Sequence, residues 1–308
     1  MLAVLLVFLI KPAAPGVFVN KTEIISQTGF AHLTDLPCLK LQFADATAVV
    51  SLYGGQVLSY QPTPDNEQLW LSEQAQWHNG SAIRGGVPVC WPWFGPAECK
   101  INPAQSPLPN HGLVRNRMWQ IQHTETTASA SCATLTTTVN DMPSTLWPQT
   151  TSVQQTAALS LTLKLDACQL SIQLSCSSQL YQQAALHSYF RVNSLLQSQV
   201  TGLSPRYFDK VSNTERHNTG SDVRCTAETD RIYPDTGNTL QLIDNNRQLR
   251  IHQSGHDASV IWNPWQQKSR DLPDMTDHGF TEFICIETAR LKLEVATDLT
   301  LQQTLIPL

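Results

Sequence analysis

From Leu159 to Leu174 the chain alternates leucine or isoleucine with polar or small residues, LSLTLKLD, then the short link Ala167-Cys168-Gln169, then LSIQL. A period of two puts Leu159, Leu161, Leu163 and Leu165 on one face of a strand, and Leu170, Ile172 and Leu174 on the same face of the next. The pattern is a hairpin with one apolar side, which needs a second layer to cover it. Leu135–Val139 carries the same alternation, as do Leu291, Leu293 and Val295 in ARLKLEVA. Ala48–Leu52 leads through Gly54-Gly55 into Gln56–Tyr60 as another strand, turn and strand. Apolar positions at helical spacing are scarce, and the 18 prolines count against long helices. No repeat of 20–50 residues recurs, which disfavours solenoids and propellers. The sequence therefore predicts an all-β fold, one large antiparallel β-sandwich over residues 17–308, with Cys99–Pro109 a loop inside it and not a boundary.

The remaining features bound what such a sandwich does. Its 20 basic and 25 acidic residues give a formal charge of -5, which argues against nucleic acid or an anionic membrane as partner. An anionic ligand would have to be held by a few local cations. The eight cysteines include no pair at CxxC spacing, so free thiols in a reducing cytoplasm are expected, without a metal site. Residues 1–16 form an apolar extension set apart from the sandwich. Its first ten residues are apolar, short of the roughly 20 that span a bilayer. Lys11 follows the apolar run where a secretory signal would have its cation first, although Ala13 and Ala14 are the small residues of a cleavage site. A terminal strand or a start codon placed too early is the expected reading.

Several segments carry candidate chemistry. Ile83–Pro96, IRGGVPVCWPWFGP, joins one arginine to two adjacent glycines, three prolines and three aromatic residues. Proline fixes the backbone and Gly85-Gly86 permits a close approach. The stretch suits either a rigid, aromatic-walled pocket that aims Arg84 at an anion, or a core turn with a surface arginine. In LPNHGLVRNRMW, Arg115 and Arg117 are two apart, which on a strand is one face. Either could be a solvated cation, and one could join Arg84 on a phosphate, which is best held by more than one charge-assisted donor. ALHSYFRV sets His187 among apolar residues, as a core histidine or a general acid. YFDKV offers Asp209 and Lys210, and ETDRIY offers Asp230 and Arg231, all four readable as structural ion pairs. Glu287 follows the apolar run Phe283–Ile286. It is either a buried ion pair or a carboxylate whose pKa burial raises towards that of a working base.

Taken together and in this order, these segments resemble the hexose-6-phosphate mutarotases, or glucose-6-phosphate 1-epimerases, of the galactose-mutarotase-like, aldose 1-epimerase superfamily. The matching stretches are 83–96, 108–116, 185–192, YFDKV, TDRIY, WNPW at 262–265 and DMTDHGFTEFICIETA at 274–289. The resemblance implies a β-supersandwich that interconverts sugar anomers by acid/base ring opening and reclosure. It implies His187 as acid, Glu287 as base, Arg84 and Arg115 as phosphate ligands and Asp230 as a sugar contact. Asn110 stands where relatives often have glutamine or another small residue, and is carried over as a substrate contact. The implied reaction needs no cofactor and no metal, and the chain has no GxGxxG, P-loop or HExxH. The implied substrate is a hexose 6-phosphate; a monomer is the default expectation, and the cytoplasm is the compartment expected from the cysteines. Two rivals share the scaffold, an aldose 1-epimerase for unphosphorylated sugars and a non-catalytic sugar-phosphate binding module.

Overall fold

The computed structural model describes residues 22–148, 155–220, 222–245, 247–293 and 298–308. The apolar extension 1–16 and Val295 lie outside the described residues. The hairpin expected from alternation is present as Ala157–Leu165 and Leu170–Cys176, with Leu165 opposite Leu170. All seven of its leucines and isoleucines named above are fully buried. The turn is closed by Asp166, whose Oδ1 accepts the N–H groups of Cys168 and Gln169, the local bond that makes aspartate a turn former.

This hairpin lies inside a nine-stranded sheet. Its order is Asp222–Val223, Gln199–Thr201, Thr239–Asp244, Arg247–Ser254, Leu299–Pro307, Leu170–Cys176, Ala157–Leu165, Ser131–Val139 and Gln120–Thr126. A four-stranded meander, Thr22–Phe30, Leu33–Phe43, Ala46–Ser51 and Gln56–Gln61, packs over one end of it. An eight-stranded sheet packs where Leu299–Pro307 runs. Its order is Thr214–His217, Arg206–Asp209, Thr229–Pro234, Ala258–Asn263, Phe283–Arg290, Ala184–Leu186 and Val89–Cys90, with Tyr189–Arg191 also on Phe283–Arg290. One apolar cluster draws on all three sheets, from Leu39 and Val50 through Leu161 and Leu301 to Ile261 and Ile284. The large antiparallel sandwich read from the sequence is the fold observed, and its one described α-helix is the short Trp265–Asp271.

Three local expectations change. Leu291 and Leu293 are not in a strand, which ends at Arg290. The carboxylate of Asp257 takes the N–H groups of Leu291 and Lys292, so those donors leave the ladder. Arg115 and Arg117 lie in turns and not on one strand face. Trp91 and Trp93 are core side chains with no exposed surface, so the proline-rich loop presents its arginine and Phe94 to a cavity but keeps its tryptophans inside. The close approach expected at Gly85-Gly86 is to the chain itself. A Cβ at Gly86, where φ is +60°, would lie 2.1 Å from the Val57 carbonyl oxygen, a distance no side chain tolerates.

Candidate active site

Strand Phe283–Arg290 is the spine of the site. Ala184–Leu186 pairs with it at Leu186–Thr288, and Tyr189–Arg191 resumes at Tyr189–Cys285. The intervening His187 thus falls opposite Glu287, and opposed residues of an antiparallel pair project from the same face. The His187 Nε2–Glu287 Oε1 separation is 3.4 Å, and the two residues are 7% and 1% exposed. On the other flank Glu287 faces Val260, and Asp230 faces Trp262 two residues along. By the period of two, Glu287, Trp262 and Asp230 share that face.

This face floors a cleft of about 410 Å³. All six residues to which the resemblance gave a role line it: Arg84, Asn110, Arg115, His187, Asp230 and Glu287. The two arginines differ in state. Arg84 Nε donates to both oxygens of Asp274 at 3.2 and 3.1 Å, and its Nη1 donates to the Tyr189 hydroxyl at 3.0 Å. Arg115 pairs with no carboxylate among the described residues, and its buried Nε has no hydrogen-bond partner. Arg117 is the structural member of its pair, held by Asp141 and by the Leu113 carbonyl. Asn110 is exposed and lies at the rim.

Lys210, read from YFDKV as a member of a structural ion pair, does pair with Asp230 at 3.1 Å and also reaches the cleft. Sequence reasoning missed other parts of the lining, among them Lys268, which binds Glu228 at 3.1 Å. Phe94 and Trp262 supply its aromatic surface. The most informative omission is His111. Its Nδ1 accepts the Gly95 N–H at 3.3 Å and faces the Cys90 thiol at 3.5 Å, which leaves the ring proton on Nε2. Burial, then Arg115, Lys210 and Arg84, push its pKa down to about 3, so His111 is a neutral donor. The clue was Gly112, whose Cβ would lie 1.9 Å from the Trp91 carbonyl oxygen. That glycine lets the histidine loop dock against the proline-rich one.

Burial is also the largest influence on the facing pair. It raises the pKa of Glu287 well above 4.5, with Asp230 adding to the rise and Lys210 and Arg115 opposing it. It lowers His187 well below 6.5, assisted by His111, Arg115 and Arg84. The contact has the spacing of an ion pair, yet both shifts favour neutral forms, and desolvation explains why. Burial thus favours a neutral imidazole beside a neutral carboxyl. Neither group is fully satisfied, since His187 Nδ1 and Glu287 Oε2 are buried without partners. An unpaired buried polar atom costs about 1–3 kcal/mol. The Tyr189 ring stacks on His187 at 5.0 Å and 9°. Asp230 is raised by burial, which Lys210 opposes. No group of three or more His, Cys, Asp or Glu among the described residues is arranged to hold a metal ion, and no described helix is long and apolar enough to cross a membrane.

The family model for aldose 1-epimerase matches residues 37–301. A protein of Escherichia coli K12 named "Putative glucose-6-phosphate 1-epimerase" is 32% identical over 260 residues, 83% of this chain and 84% of the relative. The crystal structure of a "putative mutarotase" from Salmonella typhimurium superposes with a TM-score of 0.79 at 29% identity, covering 93% of this chain and 96% of that one. Galactose 1-epimerase from Lactobacillus acidophilus shares the fold at a TM-score of 0.69 and 13% identity, over 94% of this chain and 99% of its own. With its matched span covering most of its length, the chain belongs to the aldose 1-epimerase family.

Proposed function

We propose that the protein interconverts the α and β anomers of a hexose 6-phosphate, with glucose 6-phosphate as substrate, Glu287 as base and His187 as acid. The observation that carries the reading is the facing, buried and incompletely satisfied His187–Glu287 pair, in a cleft that also holds the unpaired Arg115. The name of the Escherichia coli relative supports the phosphorylated substrate.

The reactive form, carboxylate and imidazolium, differs from the ligand-free form by one proton moved between the two groups. Glu287 takes the proton of the C1 hydroxyl while His187 gives its Nε2 proton to the ring oxygen. The C1–O5 bond breaks and the C1–O1 bond becomes a carbonyl. After rotation about C1–C2 the hydroxyl on C5 attacks the other face of the aldehyde. His187 then recovers its proton from O5, and Glu287 returns one to O1. Nothing is consumed, and each group of this kind is typically worth about 10²–10⁴-fold in rate.

The phosphate takes part at a distance. Arg84 and Arg115 both lower the pKa of His187, and Arg115 lowers that of Glu287. A bound dianion offsets those charges, so both pKa values rise. The base strengthens and the imidazolium becomes accessible once substrate is in place. Binding the phosphate also orients the sugar, an entropic contribution to the rate. Arg84, Arg115, Asp230 and Asn110 are the substrate-holding residues of this reading, and the neutral His111 donates to a sugar oxygen.

Polarimetry on freshly dissolved α-glucose 6-phosphate tests the proposal directly, and a rate equal to that of the buffer blank defeats it. The same assay gives a pH prediction. The free pair works with one shared proton, so kcat/KM falls when it gains a second or loses the first. His187 is lowered and Glu287 raised, so the acid limb lies below 6.5 and the alkaline limb well above 4.5. A profile that is already half lost on descending through pH 6.5 contradicts this assignment.

A further inference from the structure

A chain of polar side chains crosses the core where alternation calls for apolar ones. Strand Leu299–Pro307 turns Leu299, Leu301 and Leu305 inward, and Gln303 holds the same face with no exposed surface. Its ladder neighbour is Gln253, also fully buried. Both amides reach from the nine-stranded sheet to the eight-stranded one. Ser188 Oγ donates to Gln303 Oε1 at 2.5 Å. Gln303 Nε2 donates to Thr288 Oγ1 at 2.9 Å and to the Ile286 carbonyl at 3.3 Å. Thr288 Oγ1 donates in turn to Gln253 Oε1 at 3.1 Å, and Gln253 Nε2 donates to Ser259 Oγ at 2.8 Å.

Ser188 and Thr288 are the residues that follow His187 and Glu287. Successive side chains take opposite sides of the sheet here. Each cleft-facing proton carrier is therefore one peptide away from a core-facing hydroxyl, and Gln303 binds both hydroxyls with the two ends of one planar amide. We propose that Gln303 is a positioning residue of the reaction, an amide clasp that holds the acid-bearing and base-bearing segments from behind and sets the His187–Glu287 separation. The inference rests on the acid/base reading above. Apolar packing alone would hold the two sheets together without fixing lateral offset, because dispersion and hydrophobic attraction are non-directional. Hydrogen bonds through a rigid amide do constrain it, since they weaken steeply off-axis. A fully satisfied buried network is also the kind that specifies one arrangement.

The test compares Gln303→Leu with Leu301→Ala, a truncation on the same strand and the same inward face. Each is measured for kcat and KM on α-glucose 6-phosphate and for Tm. Gln303→Leu is expected to lower kcat by about 10–10²-fold with KM within about twofold of wild type, the loss that a misplacement near 1 Å produces. Leu301→Ala is expected to lose Tm but to keep kcat within about twofold, because it removes packing without releasing either hydroxyl. Should Gln303→Leu fail to fold, Ser188→Ala releases the acid segment alone and is expected to lower kcat by about 3–10-fold at unchanged KM. Wild-type kcat in Gln303→Leu or, where that variant does not fold, in Ser188→Ala overturns the clasp. So does an equal kcat loss in Leu301→Ala. A wild-type protein without turnover is a different result, which removes the acid/base reading and this inference with it.

Discussion

Glu287→Gln is expected to lower kcat for α-glucose 6-phosphate by about 10²–10⁴-fold, with KM little changed, and to make the folded protein more stable above pH 4.5. The amide keeps the volume and polarity of the carboxyl but cannot take the C1 hydroxyl proton, so the loss falls on kcat. The stability gain follows from the direction of the pKa shift. Glu287 is raised well above 4.5 chiefly by burial, so the folded state binds its proton more tightly than the unfolded state does. The stabilisation from that proton is fully present below 4.5 and is lost as pH rises through the folded pKa. Glutamine does not titrate, so the variant's advantage grows by up to about 1.4 kcal/mol per pH unit across that window. Calorimetry at pH 4.5 and pH 7.5, run beside polarimetry, reads both effects. A variant with more than a tenth of wild-type kcat, or with its advantage larger at the lower pH, contradicts the role given to Glu287.

The resemblance named the six residues of this site, all of which line the cleft, whereas residue type and period marked only the strands that carry them. Alternation predicted the Leu159–Leu174 hairpin, and its leucines are buried as expected. A glutamate closing an apolar run identified a buried strand with a carboxyl on it. Period alone could not bring Glu287 opposite His187, because that depends on which strands pair and in what register, a long-range property. The same limit explains the two arginines of LVRNR. Spacing placed Arg115 and Arg117 on one face, but Arg117 turns back to the Leu113 carbonyl and to Asp141, and such turn geometry is invisible to a two-residue count. Breaks in the alternation carried information of their own. LTLQQTL has a glutamine at an inward position between Leu301 and Leu305, and RQLRIHQS has another after Leu249 and Ile251. These are Gln303 and Gln253, and a polar residue on a core face is a feature that needs a partner.

Arg115→Ala is expected to raise KM for glucose 6-phosphate by about 10–10²-fold with no fall in kcat/KM for unphosphorylated glucose, since hydrogen bonds to charged groups contribute about 1.5–3 kcal/mol each. A chain of net charge -5 gains nothing from its overall field in attracting a dianion, so a local unpaired cation has to do so. Arg115 fits that description, because its guanidinium lines the cleft and its Nε is without a partner. Arg84 does not fit it as cleanly. Its Nε is committed to Asp274 and its Nη1 to the hydroxyl of Tyr189, whose ring stacks on His187. Arg84→Ala leaves Asp274 uncompensated and frees Tyr189, so it is expected to impair both sugars. The contrast between the two arginine variants is therefore more diagnostic than either alone, and Arg117→Met, which touches only the Asp141 pair and the Leu113 carbonyl, serves as the neutral control. Equal losses on glucose and glucose 6-phosphate in Arg115→Ala would remove the phosphate from the reading. The acid/base pair would remain, and the cleft would then belong to an epimerase of unphosphorylated sugars.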